Sequence, residues 1–423
     1  ELNTLVGRAL QSNLTLKTAW QRLRAAQAVT DRESAALLPS LDLSAEANTE
    51  SGSASGATFD SDSYVQGGIS AAYEVDLWGR IRAGVAAERL RARATHADYR
   101  AAALSLAAEV TRTWYRLAEA RARRDLITEQ VATNRKLVKL IEAQFGHGQA
   151  RSADLLRQRR LLESVRQQRH AAEARVQTLE HQLAVLLGRP PQRGIQPQRA
   201  ELPALPPLPA TGLPAELVQR RPDVRSAWLR LRAADREVAV AVSNQYPRLS
   251  LSASALTTNR GAARLYDDWA LSFAANLVAP LIDAGRRDAE VERTRAVERQ
   301  RLFEYGQAVL TAFREVEDAL IRERQQRREL ASLRQQVRLA AQSYHELRRR
   351  YLGGAGDYLD VLTALADTQA LRRDLLAARL QLVAYRIGLY RALAGGFTTE
   401  READLARAPG RRGASDPQPE EPN

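Results

Sequence analysis

The chain contains two copies of one unit, and this duplication limits its possible folds more than any other feature. The segment Trp20–Ala26 (WQRLRAA) recurs 208 residues later as Trp228–Ala234 (WLRLRAA), and Pro39–Ala45 (PSLDLSA) recurs at the same offset as Pro247–Ala253 (PRLSLSA). Three more landmarks recur in the same order at an offset of 206: Gly79 with Gly285, Gly148 with Gly354, and Asp154 with Asp360. Five ordered matches indicate a tandem repeat, so both halves are expected to form the same structure.

Two segments lie outside the repeats. Residues 188–214 hold eight of the 16 prolines, which interrupt helices and strands alike. They are therefore predicted to form an extended linker between a first repeat, 1–187, and a second repeat, 215–397. Residues 398–423 are polar and end in a run rich in proline and glutamate. A disordered tail is predicted there.

Each repeat shows the same order of periodic patterns. An opening helix precedes a β-hairpin of alternating residues, and a long proline-free helix then leads through a glycine turn into a return helix. In the long helices, an apolar series from Ile127 to Phe145 and its counterpart from Leu333 to Tyr351 step by four and three residues, which is a heptad seam. The predicted boundaries in the first repeat are a helix at about 2–33, a hairpin at about 40–78, a long helix at 80–147 and a return helix at 154–187. In the second repeat they are a hairpin at about 248–280, a long helix at 286–353 and a return helix at 360–393.

The lengths of these helices predict an elongated protein. At 1.5 Å per residue, each long helix would extend about 100 Å. The opening and return helices, stacked end to end, would nearly match that length, which favours a rod of antiparallel helices with the hairpins at one end. Two hairpins cannot cover their own edges. Several protomers that each contribute four strands to one barrel would remove those edges.

The charge balance leaves two other classes of function open. The chain has 63 Lys+Arg against 50 Asp+Glu, which suits an arginine-rich coiled-coil scaffold or a protein that binds nucleic-acid phosphates. The arginines are interleaved with acidic residues and glutamine along helical stretches, without a block of five or six like charges. This pattern favours a solvated helical surface. No apolar run reaches the roughly 18 to 20 residues of a transmembrane helix.

Catalytic and metal-binding patterns are lacking in the sequence. Because it has no Cys, the chain offers no disulfide, thiolate nucleophile or Cys-ligated metal. His170 and His181 do not belong to an H-E-x-x-H pattern, and Gly353–Gly356 (GGAG) is not followed by the Gly-Lys-Ser/Thr of a phosphate loop. A G-x-S-x-G motif is also absent. The sequence therefore predicts no enzyme, no cofactor and no metal centre.

Six short motifs, distributed over residues 1 to 397, resemble one known family. They are Leu2–Leu14 (LNTLVGRALQSNL), Asp76–Arg80 (DLWGR), Arg220–Val224 (RRPDV), Tyr246–Ser250 (YPRLS), Gly148–Leu156 (GQARSADLL) and Gly354–Leu362 (GAGDYLDVL). Together they resemble the TolC-like outer-membrane efflux proteins, and most closely the lipoprotein branch that serves resistance-nodulation-division pumps.

The resemblance implies a fold, a location and a set of partners. The fold would be mainly α, with a homotrimer that forms a 12-stranded outer-membrane β-barrel and a long periplasmic α-helical coiled-coil tunnel. Such a trimer would be the passive exit duct of a tripartite efflux pump in a Gram-negative bacterium. It would contact a periplasmic adaptor, an inner-membrane transporter and outer-membrane lipid, but not nucleic acid. The lipoprotein branch begins with an acylated Cys, whereas this chain starts within the first repeat helix. An N-terminal segment is therefore expected to be missing, and both a lipid anchor on such a Cys and a chain without one stay open.

The resemblance also identifies a candidate gate at the two glycine turns. In this family the helix-turn-helix ends that face the inner membrane constrict the tunnel, and acidic residues six positions after the turn glycines matter there. Those positions are Asp154 and Asp360 here. Asp357 lies one turn before Asp360, so three protomers would bring six carboxylates toward one axis. Closely spaced carboxylates favour bound cations, and a cation- and pH-sensitive closed gate is therefore predicted. Capping of the return helix is an alternative role for Asp357 and Asp360.

The family also joins its inner and outer helices near the turns by hydrogen bonds from Tyr and Arg. Tyr351, three residues before Gly354, fits this latch, and Gly148 and Gly354 would form the turns. The family's arginine position is Gly356 here. Arg151, from the other turn, is a candidate substitute for that arginine.

The hairpin residues divide into two sets by alternation. Five apolar residues of the second hairpin are predicted to face lipid: Leu249, Leu251, Trp269, Leu271 and Phe273. Asp42, Ser44, Ser250 and Ser252 would line water instead. Trp78 could join an interfacial belt or could pack at the junction between strand and helix.

Overall fold

A computed structural model of the chain describes residues 1–52, 60–191, 201–209, 219–259, 268–393 and 397–407. These residues form helices and one sheet, in the same order in each half. The elements are α1 (Leu2–Ser12), α2 (Leu14–Ala35), β1 (Ser40–Gly52), β2 (Asp60–Val75), α3 (Arg80–Gly146), α4 (Ser152–Leu186), α5 (Pro222–Ser243), β3 (Arg248–Asn259), β4 (Ala270–Val278), α6 (Arg286–Leu352), α7 (Tyr358–Leu393) and α8 (Glu400–Arg407). The mainly α character predicted from the sequence is confirmed.

The chain divides into two compact units. The helical unit contains Glu1–Thr18, Arg100–Arg221 and Thr311–Asn423, and the sheet unit contains Ala19–Tyr99 and Pro222–Leu310. The long helices α3 and α6 have 67 residues each, which corresponds to about 100 Å per helix. Among the described helices, none has a stretch that is long and apolar enough to cross a membrane.

The four strands form one antiparallel sheet in the order β1-β2-β3-β4. Its register pairs Leu43 with Ile69, Ile69 with Ala255 and Ala255 with Leu271. Because directly opposed residues point to the same side, most of the large apolar residues of both hairpins share one face. That face includes Leu41, Leu43, Ile69, Tyr73, Leu249, Leu251, Leu271, Phe273 and Leu277. The residues that alternate with them, such as Asp42, Ser44, Ser250 and Ser252, lie on the opposite face.

Trp78 packs at the junction between β2 and α3. Trp78 stacks on Tyr246 with ring centroids 4.8 Å apart, and its indole N–H donates to the carbonyl of Pro247 at 2.8 Å. The Ser243 hydroxyl donates to the Trp78 carbonyl at 3.1 Å. Of the two roles open from the sequence, the packing role at the junction is the one these contacts support.

The repeat tryptophans have different surroundings. Trp20 is buried against Tyr99, and its counterpart Trp228 packs against Tyr305 but is 42% exposed. Arg232 covers part of the exposed ring, with its guanidinium carbon 5.8 Å from the ring centroid. Equivalent positions therefore keep the same type of aromatic partner but differ in burial.

An aspartate caps the start of α3. The Asp76 carboxylate accepts hydrogen bonds from the backbone N–H groups of Ile81 and Arg82, each at 3.0 Å, and from the Arg82 side chain at 3.1 Å. Burial alone would raise the pKa of Asp76, but these hydrogen bonds outweigh it and hold the pKa below its ordinary value. In the second repeat, Asp283 accepts from the backbone and the guanidinium of Arg287 at the start of α6.

Three helices end at a glycine in the left-handed conformation. Gly148, Gly188 and Gly354 have φ of 72°, 68° and 76°. The residue after each glycine donates its N–H to the carbonyl five positions back, as in the bond from Gln149 to Gln144 at 2.8 Å. This Schellman arrangement satisfies carbonyls that the helix end leaves free. It explains why glycine marks both turns in the repeat pattern.

The opening helix of the first repeat is broken rather than continuous. Asn13, with ψ of 127°, separates α1 from α2. Its side-chain oxygen accepts from the N–H of Leu16 and its side-chain nitrogen donates to the carbonyl of Leu186, both at 3.0 Å. The end of α4 therefore meets this break, and Leu5 and Ala9 of α1 lie beside α4 in one apolar cluster. The expected end-to-end stacking of the whole opening helix on the return helix is wrong, because Asn13 ties the end of α4 to the middle of that segment.

The predicted disordered tail begins with a helix. Thr399 and Glu402 form a capping box at the start of α8, in which the Thr399 N–H and hydroxyl both donate to Glu402, at 2.7 and 3.0 Å. The same carboxylate pairs with Arg100 of α3 at 2.7 Å. Residues 400–407 are therefore ordered by local capping and by an ion pair that composition alone did not reveal. Residues 408–423 of the predicted tail lie outside the described residues.

Replacing Gly188 by alanine is expected to destabilise the protein more than the same change at Gly148. Both residues have positive φ, which costs an alanine about 1–2 kcal/mol. A Cβ at Gly188 would also lie 2.5 Å from the backbone oxygen of Ser12, whereas a Cβ at Gly148 meets nothing within 4 Å. Denaturant unfolding of the two variants, followed by circular dichroism, measures the difference. Equal losses of stability would show that the α4 end does not abut Ser12 as described.

Candidate gate at the helix turns

The two glycine turns lie next to a large apolar cluster of the helical unit. It combines residues of α3, α4 and α7: Ile127, Val131, Val138, Ile141, Leu155, Leu162, Val165, Ala172, Tyr358, Val361 and Leu362. In α3 the buried members follow the predicted heptad seam. The matching seam in α6 is only partly buried, with Leu347 and Tyr351 at the edge of this cluster.

A chain of buried polar side chains crosses the apolar cluster. The Tyr358 hydroxyl donates to the Gln158 side-chain oxygen at 2.7 Å, and the Gln158 nitrogen donates to the Asn134 side-chain oxygen at 3.0 Å. Asn134 in turn donates to the side-chain oxygen of Gln369 at 3.1 Å. Since an unpaired polar group would be costly here, this chain fixes the register of α3, α4 and α7. Asn134 is the polar member of the heptad seam, which is the one sequence signal that could have located the network.

A second pair of contacts extends this network along α7. Gln130 donates from its side chain to the carbonyl of Gln369 at 3.1 Å and accepts from the guanidinium of Arg373 at 2.7 Å. Burial, and then the nearby charge of Arg123, lower the pKa of Arg373. Helices α3 and α4 are therefore joined to α7 by neutral and charged hydrogen bonds over about four helical turns.

Asp154 is buried beneath the turn instead of lying on an open surface. Its side chain pairs with Arg157 at 3.3 Å. Burial raises the pKa of both Tyr351 and Tyr358, and the negative charge of Asp154 adds to the increase in each. Both tyrosines thus stay protonated and able to donate hydrogen bonds. Asp154 is thus a buried residue at the start of α4, beside the turn. Its role in a gate stays a prediction.

The two carboxylates of the second turn are exposed. Asp357 accepts a hydrogen bond from the backbone N–H of Leu359 at 3.0 Å, so it does cap α7. Asp360 lies in the first turn of α7 and forms no ion pair with a described residue. Because both side chains are exposed, they can interact with other charges. Capping of α7 by Asp357 is therefore compatible with a role in a gate.

Of the two predicted latch residues, only Tyr351 makes a bond between helices. Its hydroxyl donates to the side-chain oxygen of Gln144 at 2.9 Å and joins α6 to α3. Arg151 precedes α4, where its carbonyl accepts the N–H of Asp154 at 3.1 Å. Its guanidinium bonds to none of the described residues. The partner of Tyr351 could not be read from the family pattern.

A buried ion pair holds the linker against the helices, and no sequence pattern predicted it. Arg386 of α7 and Glu323 of α6 form two hydrogen bonds, at 2.6 and 2.8 Å, and their side chains are only 2% and 1% exposed. Arg386 also donates to the carbonyls of Pro206 and Pro207 at 2.9 and 3.1 Å. Through these two bonds the guanidinium ties the linker to α7.

The fold and the turns together define a class of protein. Long paired helices that end at capped glycine turns, with acidic residues beside the turns, are combined with four long strands that have one apolar face. These features are those of a subunit of a TolC-like outer-membrane channel.

The comparisons with known proteins identify the family. The family described as Outer membrane efflux protein matches residues 5–189 and again residues 213–395, one match for each repeat. The chain belongs to this family. It is 31% identical to the pyoverdine export outer membrane protein OpmQ of Pseudomonas aeruginosa over 416 residues, covering 96% of this chain and 87% of that protein.

Solved structures show the same fold. The outer-membrane channel OprN has a TM-score of 0.87 at 28% identity, covering 93% of this chain and 90% of that one. The outer membrane protein VceC of Vibrio cholerae has a TM-score of 0.84 at 26% identity, covering 94% and 97%. Membership of this family makes the chain an outer-membrane efflux channel subunit that extends into the periplasm, and not an enzyme. These comparisons do not support the two alternatives that the charge left open, an arginine-rich scaffold and a nucleic-acid-binding protein.

Proposed function

We propose that three copies of this chain assemble into the exit duct of a tripartite efflux pump. Each copy contributes four strands to a 12-stranded barrel in the outer membrane and its long helices to a periplasmic tunnel. A periplasmic adaptor and an inner-membrane transporter deliver the cargo, and the duct conducts it passively. A relative is named for pyoverdine export, another as a toluene efflux pump protein and another as part of a cation efflux system. This variety among relatives supports a duct whose cargo is set largely by its pump.

The observation that carries the proposal is the sheet. All its strands are between 9 and 16 residues long, and within the described residues β1 pairs with β2 alone and β4 with β3 alone. Two long, open edges and one apolar face suit a sheet that continues into neighbouring protomers and contacts lipid. The half-exposed heptad seam of α6 supports the same assembly, because it leaves an apolar helix face for another subunit.

The turns form the gate of this proposed duct. Asp357 and Asp360 of three protomers converge at its periplasmic end, where their carboxylates bind cations and hold it closed. The buried Asp154 lies beside this end and raises the pKa of Tyr351 and Tyr358 by its charge. The bond from Tyr351 to Gln144 latches α6 to α3. Gly148 and Gly354 allow both turns to be tight.

Replacing Phe273 by arginine is expected to weaken insertion of the trimer by about 2 kcal/mol per protomer, since a charge on the lipid face of a barrel is costly. Ser272→Arg is the matched control, because Ser272 is the neighbouring residue on the opposite face of β4. Heat-labile trimers on a gel and insertion events in planar bilayers measure the effect. Equal effects of the two changes, or monodisperse protein without detergent, would contradict the proposed barrel.

A further inference from the structure

A groove of about 640 Å³ lies in the helical unit, far from the turns. Its lining includes three small residues of α7, Ala384, Gly388 and Ala392. Arginines from three helices surround it: Arg112 and Arg116 of α3, Arg314 and Arg322 of α6, and Arg391 of α7. Arg112 precedes the end of α3 by 34 residues, which places the groove about 50 Å along the helix from the turn. Its volume is typical of a site for a small molecule.

The arginines around the groove outnumber the carboxylates. Glu109 is shared by Arg112 and Arg116, at 2.9 and 3.4 Å, and Asp318 pairs with Arg322 at 3.3 Å. Glu315 is 3.7 Å from Arg391, but its closer partner is the buried Arg221, at 2.9 Å. Arg314 is exposed and pairs with no described residue. Three carboxylates therefore face five groove arginines, and the groove keeps a positive potential.

The groove and the linker lie on opposite sides of α7. Arg386, which binds the linker carbonyls, is two residues before Gly388, which lines the groove. Two residues correspond to about 200° around a helix. In the proposed tunnel, a linker on the inner side would obstruct the duct, so the linker side is the outer side. The arginine groove then faces the interior.

We propose that this groove is a binding site for small anionic solutes on the inner wall of the duct. Arginine guanidinium groups match carboxylate, sulfonate and phosphate oxygens, and several of them around one cavity favour a solute with two or more negative charges. The site gives the duct a preference for anionic cargo. This inference rests on the proposed function, because it takes the groove to lie inside a trimeric tunnel.

The test compares Arg314→Ala/Arg322→Ala with the wild-type trimer, using citrate as the probe. Both arginines are exposed, so the fold is expected to persist. Citrate affinity, measured by isothermal titration calorimetry of the detergent-solubilised trimer, is expected to fall roughly tenfold. The chloride-to-potassium permeability ratio in planar bilayers is expected to fall roughly threefold. Arg324→Ala is the matched control, because Arg324 is exposed on the same helix about 200° around from Arg322.

Each outcome separates this inference from the proposed function. A trimer that conducts ions but binds citrate equally well with or without Arg314 and Arg322 would overturn the anion site and leave the duct intact. An equal loss of affinity in the Arg324 control would also overturn it, because the effect would then be one of overall charge. Loss of the trimer with unchanged citrate affinity would show that the groove contacts another protomer. Protein that never conducts would instead refute the proposed duct.

Discussion

Replacing Glu323 by alanine is expected to lower the free energy of unfolding by about 3–5 kcal/mol, because it leaves the Arg386 guanidinium buried without its counter-charge. Glu323 accepts two hydrogen bonds from Arg386 and two from Arg327, the latter at 2.9 and 3.2 Å. The side chains of the buried pair have almost no exposed area, so water cannot replace the lost carboxylate. Urea unfolding of the detergent-solubilised protein, followed by far-ultraviolet circular dichroism, measures the loss.

Two further variants separate this effect from a simple loss of side-chain contacts. Glu329→Ala removes an exposed carboxylate of the same helix and is expected to change stability by less than about 0.5 kcal/mol. Glu323→Met/Arg386→Met removes both charges and is expected to recover much of the loss, since a buried apolar pair is often as stable as the ion pair. A double variant that is no better than Glu323→Ala would show that the bonds from Arg386 to the linker, rather than its pairing, hold this region together.

The stability that Glu323 contributes is expected to depend on pH. Burial would raise the pKa of Glu323, but hydrogen bonds and charge from Arg386 and Arg327 outweigh it and leave the pKa below its ordinary value. For a carboxylate with a lowered pKa, the contribution is complete above its unfolded pKa and is lost as the pH falls through the folded pKa. The gap between wild type and Glu323→Ala should therefore be constant near neutrality and narrow below about pH 4. A gap that widens on acidification would contradict this sign.

The sequence predicts those parts of the fold that depend on local periodicity. The repeat, the alternating strands and the heptad seam of α3 each follow from residues that are near one another in the chain, and the glycines at both turns have the positive φ that their position requires. The break at Asn13 could not be predicted in the same way. It depends on the end of α4, more than 170 residues away, whose carbonyl accepts the Asn13 side chain.

The candidate site was only partly accessible to sequence reasoning for the same reason. The resemblance to a family supplied Asp154, Asp357, Asp360 and Tyr351 but not their surroundings, so it could not distinguish a buried Asp154 from an exposed Asp360. Gln158 and Gln369 lie in different repeats and bond to the same Asn134 side chain only when the helices pack. The pair of Glu323 and Arg386 was hidden because a chain with so many arginines gives no sign of which one is buried.

Neutralising both exposed carboxylates of the second turn is expected to open the duct. The change Asp357→Asn/Asp360→Asn is preferable to alanine, because asparagine caps a helix about as well as aspartate and so preserves the bond to the Leu359 N–H. Without six converging carboxylates the bound cations are lost, and the closed-state conductance of single channels should rise roughly fivefold or more while block by Mg²⁺ weakens. Asp367→Asn/Asp374→Asn is the matched control, since both residues are exposed on α7 at one and two heptads from Asp360, further from the turn. Two results would contradict the gate: equal conductance of the two double variants, or conductance and Mg²⁺ block at wild-type values. Asp357 and Asp360 would then act only at the start of α7, and the buried network of Tyr358, Gln158 and Asn134 would hold the constriction.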